Sequence, residues 1–209
     1  MTESIRERNH EAIKTPSNLM VLLICGSTGI PSHTRTNLQQ IDNLLQREKV
    51  KTHLWDLRDK QLPIADPAYH SDPSKDPNKR VQELVELADR ADAFVLGTPL
   101  YHNSYSGVIK NALDNLTISQ FEGKPVGLVS HGSERTVVQA CDHLRIVVRG
   151  LSGVAIPKQI ATIESDFKEK NGEYELVSDD IKHRMLLMVK ELVIFATQLP
   201  TPKINAQKT

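Results

Sequence analysis

The stretch from Leu19 to Cys25 reads LMVLLIC, without a polar side chain, and Gly26 ends it. A strand with one wet face alternates apolar and polar residues. A strand covered on both faces can be apolar throughout, as strands inside parallel sheets commonly are. The run is far shorter than the roughly 20 residues that span a bilayer. It therefore reads as a buried strand, and such a strand needs helices on both sides of its sheet.

The rest of the chain supplies them. A polar loop, Ser27 to His33, is followed by Leu38, Ile41, Leu44 and Leu45 at helical spacing. Val50 to Trp55 reads as a second strand. Residues 57–78 carry Pro63, Pro67, Pro73 and Pro77, which predicts a long surface loop. Val81, Leu84, Val85 and Ala88 mark a helix, and Ala93 to Leu96 a third strand closed by Gly97-Thr98-Pro99. Ile109, Ala112, Leu113 and Leu116 give another helix, and Pro125 to Val129 a fourth strand. A helix from about Arg135 to Val148 leads to a short fifth strand, Val154 to Ile156, ending before Pro157. Ile181, Met185, Met188, Val189, Leu192 and Ala196 line a terminal helix.

Alternating strands and helices with short connections make a doubly wound α/β domain, with a parallel five-stranded sheet and helices on both faces. Five strands suit the flavodoxin-like order better than the six-stranded dinucleotide fold. At 209 residues one domain is expected, spanning residues 19–200 between a flexible leader, 1–18, and a flexible tail, 201–209.

With 26 basic and 26 acidic residues the formal net charge is zero. There is no basic stripe for nucleic acid, and nothing suggests a membrane segment. The leader lacks the apolar core of a secretory signal. Two cysteines, Cys25 and Cys141, make no disulfide framework in a chain this size, and a reducing cytoplasm suits them.

In open α/β sheets ligands sit outside the carboxyl ends of the strands, which selects three loops. The first, Gly26 to Thr34, offers Ser27, Ser32, His33 and Thr34 at a helix start. Orphan amides and the helix dipole there suit a phosphate; equally, Ser32 or Thr34 can serve as an ordinary helix cap. A Walker loop fails for want of lysine, the three-glycine dinucleotide fingerprint is not met, and a phosphatase loop would need arginine where Pro31 stands. In the second loop, Pro99, Leu100 and Tyr101 can wall a flat ring system, with donors from His102, Asn103 and Ser104. The third, Ser130-His131-Gly132-Ser133, offers amides to the edge of such a ring. No histidine has metal-ligand spacing.

These loops carry a resemblance. Gly26-Ser27 with Ser32-His33-Thr34 resembles the phosphate motif of the NADPH-dependent FMN reductase family. Thr98 to Asn103 with Ser106-Gly107 and Lys110-Asn111-Ala112-Leu113-Asp114 is similar to that family's flavin-ring segment. Leu144 to Gln159, with Arg145, Arg149-Gly150 and Ile156-Pro157-Lys158-Gln159, resembles its azobenzene (azo dye) reductase branch. The sequence departs from the motif at Gly29, where the family has arginine, and Arg35 is a candidate to meet the phosphate charge instead. Ser104 stands where glycine is common.

The resemblance implies bound FMN, NAD(P)H as co-substrate, and ping-pong reduction of azo compounds, quinones or similar small acceptors. It implies a homodimer or homotetramer, and no side-chain acid or base. The rival readings are a flavin reductase feeding a monooxygenase and a flavodoxin-like electron carrier. Carriers of that kind are strongly acidic, whereas this chain is neutral.

Overall fold

The computed structural model describes residues 15–133 and 135–199. The expected tail lies outside them, as does the leader up to residue 14; Pro16–Asn18 form one 3-10 turn. The strands are β1 (Met20–Cys25), β2 (Lys51–Asp56), β3 (Ala93–Pro99), β4 (Pro125–His131) and β5 (Val154–Thr162), in the order β2-β1-β3-β4-β5, all parallel. That is the flavodoxin order, with its reversal of direction between β1 and β3.

The helices are α1 (His33–Arg47), α2 (Lys79–Arg90), α3 (Gly107–Asp114), the short α4 (Ile118–Phe121), α5 (Val138–Gly150) and α6 (Asp179–Gln198). Period-two alternation splits β1 between two cores. Val21, Leu23 and Cys25 pack with Leu38, Ile41 and Leu45 of α1 and with Met185, Met188, Val189 and Leu192 of α6. Leu22 and Ile24 pack with Val81, Leu84 and Val85 of α2, Ile109 of α3, and Leu144 and Val148 of α5. Burying each such side chain is worth roughly 1.5–3 kcal/mol, so neither face tolerates a polar residue. The uninterrupted apolar run of β1 is the consequence.

Three features differ from expectation. β3 and β4 run on to Pro99 and His131, so Ser130 and His131 are strand residues and not loop. β5 does not stop at Pro157; it passes it with a register break, Val126 opposite Ala155 and then Leu128 opposite Gln159. An edge strand permits the proline, and Arg145 of α5 fills the broken ladder. Its guanidinium donates to the carbonyls of Ile156 (2.9 Å) and Pro157 (3.1 Å) and to Gln159 Oε1 (3.0 and 2.7 Å). Beyond β5 an unforeseen antiparallel hairpin, β6 (Phe167–Lys170) and β7 (Glu173–Leu176), turns at Asn171 and Gly172, both with positive φ.

Candidate functional site

The loop from Gly26 to Ser32 leaves the end of β1 at the sheet's switch point. Gly26 is needed there, because a Cβ would lie 2.7 Å from Ile109 Cβ, and its amide donates to Gly97 O at 2.7 Å. Ser32 caps α1, accepting from the Arg35 amide at 3.2 Å, and its hydroxyl donates to Ser27 Oγ at 2.8 Å. Among the described residues Ser27 Oγ donates to nothing. Nor do the amides of Thr28, Gly29, Ile30 and Ser32 have an acceptor there. Ser27, Ser32 and Thr34 are buried, while Thr28, Gly29 and Ile30 lie exposed. The loop and the first turn of α1 therefore gather free N–H donors and, among the described residues, the free hydroxyls of Ser27, Thr28 and Thr34 at the positive end of a 15-residue helix.

Arg35 takes no part in that donor face. Its guanidinium forks onto Asp56 at the end of β2, through Nε to Oδ2 and Nη2 to Oδ1, the latter at 3.0 Å. Two further donors go to Gly29 O (3.0 Å, from Nη1) and Ser27 O (3.2 Å, from Nη2). The ion pair holds Arg35 fully protonated. Beneath it, burial pushes the Cys25 thiol up to about 11.

After β3, Thr98 Oγ1 accepts from the Ser106 amide (2.9 Å), and Ser106 Oγ donates to Gly26 O (2.6 Å), tying this loop to the first. Leu100 N donates to His131 O at 2.7 Å. Tyr101 and Ser104 exchange backbone hydrogen bonds at 2.9 and 3.0 Å around His102 and Asn103, whose φ values are 48° and 62°. Left-handed histidine is costly, and a tight turn held in that state belongs with sites that need a fixed backbone. Pro99 is buried, Leu100 half-buried, and Tyr101, His102 and Asn103 are exposed, forming a shelf beside the first loop. Ser104 Oγ is bound to His143 Nδ1 (3.0 Å). Asn111 of α3, inside the expected ring segment, instead pins the proline-rich loop, accepting from Ala65 N (3.0 Å) and donating to Pro63 O (2.8 Å).

The third group sits differently from its expected place. Ser130 is fully buried, with its hydroxyl given to Val137 O (2.8 Å) and Cys141 Sγ beside it at 3.2 Å. The Gly132 amide donates to Thr162 O (3.1 Å), because β5 continues alongside β4 that far. Ser133 alone of the four is exposed. His131 and His33 stack at 3.9 Å, and Tyr174 of the hairpin stacks on His33 at 3.5 Å, with Phe167 edge-on at 4.7 Å. Burial, with His33 beside it, pushes His131 down to about 4; burial also lowers His33. Both rings are neutral at pH 7, so an uncharged aromatic stack clamps the first turn of α1 to β4.

Sequence reasoning missed Asp56, Thr162 and the hairpin, and gave Asn111 to the ring segment where it pins the proline-rich loop. The hairpin alone had a plain signal: Asn171-Gly172 is the pair that two-residue hairpin turns favour.

The family model for NADPH-dependent FMN reductases matches residues 19–168. The chain belongs to the NADPH-dependent FMN reductase family. Within it, an FMN-dependent NADPH-azoreductase of Staphylococcus saprophyticus is 37% identical over 180 residues, 86% of this chain and 96% of that protein. One from Staphylococcus aureus is 36% identical over the same shares. Among solved structures, the flavoenzyme NAD(P)H:(acceptor) oxidoreductase FerB of Paracoccus denitrificans superposes with a TM-score of 0.68 at 20% identity, covering 85% of this chain and 97% of that one. A Streptococcus pneumoniae flavodoxin gives 0.54 at 12% identity, covering 84% and 98%. These distant structures share the fold, and the sequence relatives place the chain in the family. Among the described residues no cluster of metal ligands occurs, and no helix is long and apolar enough to cross a membrane.

Proposed function

We propose that this chain is an FMN-dependent NADPH oxidoreductase that reduces azo compounds, quinones or similar small acceptors. One observation carries the reading beside the family: the free donor face at the head of α1, walled by the Pro99–Ser104 shelf, at the switch point of the sheet. The donor set fits a phosphate monoester. Ser27, as the end of the hydroxyl pair with Ser32, and the amides of residues 28–30 and 32–34 would hold it.

Bound FMN supplies two-electron chemistry between reduced nicotinamide and the acceptor. The chain's residues bind and orient. Pro99, Leu100 and Tyr101 form the wall; the fixed turn at His102 and Asn103 and the free end of the third loop at Ser133 line its edge. His33 and His131 hold the base of the loop through their stack. The reading assigns no general acid or base to the chain, and gives its residues the positioning of the nicotinamide and the acceptor over the flavin.

The neutral charge balance opposes the electron-carrier alternative. A homodimer or homotetramer and a cytoplasmic location complete the proposal, the latter suiting two buried, unpaired cysteines. The test is steady-state decolorisation of an azo dye by the FMN-loaded protein, varying NADPH at several dye concentrations. Parallel double-reciprocal lines support alternation of the two substrates at one site. Absence of turnover with a fully loaded protein contradicts the reading.

A further inference from the structure

We infer that Arg35 is a positioning residue for the flavin phosphate, acting through the loop backbone and not by touching the anion. The inference rests on the phosphate reading of the Gly26–Ser32 loop. A trans peptide points its C=O and the following N–H in opposite directions. Arg35 draws the carbonyls of Ser27 and Gly29 toward itself at 3.2 and 3.0 Å. The amides of Thr28 and Ile30 must then point away from the guanidinium, and neither has an acceptor among the described residues. Without that hold, either peptide could turn its oxygen toward an incoming anion.

The charge of Arg35 is already matched by Asp56, and the two side chains are only 11% and 14% exposed. What Arg35 offers the site is therefore shape. A planar fork serves a carboxylate on one edge and two carbonyls on the other; the single ammonium of lysine cannot do both. Asp56 is itself fixed, since its Oδ1 accepts from the Arg58 amide at 2.9 Å. The end of β2 thus sets the conformation of the loop after β1, on the adjacent strand.

The experiment titrates the flavin-stripped full-length protein with FMN and, separately, with riboflavin, for the wild type, Arg35→Lys and Asp56→Asn, with thermal unfolding measured alongside. Positioning predicts that each variant weakens FMN about tenfold or more, the scale of one lost hydrogen bond to a charged group, with riboflavin binding shifted less than about twofold. Direct charge on the phosphate predicts the reverse pattern. Arg35→Lys would then keep FMN affinity and Asp56→Asn, by freeing the guanidinium, would raise it; either result overturns the inference. Equal loss of both flavins, or loss of the fold, overturns it too, because Arg35 would then be only a fold contact. A wild type that binds riboflavin as well as FMN instead sinks the underlying phosphate reading.

Discussion

Ser27 is the donor through which the first loop should discriminate. Ser32 spends its hydrogen on Ser27 Oγ, so of that pair the proton of Ser27 is the one left to give. Hydrogen bonds to charged groups are worth roughly 1.5–3 kcal/mol, so Ser27→Ala should weaken FMN at least about tenfold and leave riboflavin unaffected, as read by flavin fluorescence quenching. Gly29 offers the opposite test. A Cβ there would meet nothing nearer than Pro31 O at 3.5 Å, and its φ lies outside the left-handed region. Gly29→Arg should therefore fold normally and tighten FMN about tenfold through a charge-assisted contact, seen in the same titration; unchanged affinity would show that the side chain does not reach the phosphate. The cap was legible in the sequence, where Ser32 and Thr34 both stood as candidates ahead of an amphipathic pattern; Ser32 takes it, and Thr34 falls inside α1. The role of Arg35 was not legible, because it depends on Asp56, distant in sequence and adjacent only once β1 and β2 pair.

Elements show the same division. Helices and strands were legible where one pattern ran through them, the unbroken apolar run of β1 and the helical spacing of α6. The register break in β5 was not, since Pro157 normally ends a strand and the compensating donors come from Arg145 on another helix. The hairpin lays its Tyr174 on the His33–His131 stack. His131 titrates at about 4 in the folded chain against an ordinary value of 6.5. The unfolded chain therefore takes up this proton first as pH falls, and stability tied to the neutral ring is full above 6.5 and lost progressively down to 4. His131→Phe keeps a stacking ring and removes the proton site. It should cost about 1 kcal/mol near neutral pH for the lost hydrogen bond between His131 Nδ1 and Thr162 Oγ1 (3.1 Å), yet flatten the fall of the unfolding temperature across that window. An unchanged slope, measured by calorimetry on flavin-free protein, would place the acid sensitivity elsewhere.

At the scale of the whole molecule, the β2-β1-β3-β4-β5 sheet brings three loops distant in sequence to one edge. The first two are tied directly, through Ser106 Oγ to Gly26 O, and the second to the third, through Leu100 N to His131 O. Such mutual bracing suits a site that must hold a rigid ring against two substrates in turn. The decisive measurement is an anaerobic titration of the FMN-loaded protein with NADPH, and in parallel NADH, following flavin absorbance, and then addition of an azo dye or quinone. Bleaching by stoichiometric reduced nicotinamide, followed by return of the flavin band as the acceptor is consumed, is the predicted result. Flavin that stays bound and oxidised with excess NADPH and NADH, yet is bleached by dithionite, would contradict it and identify a carrier.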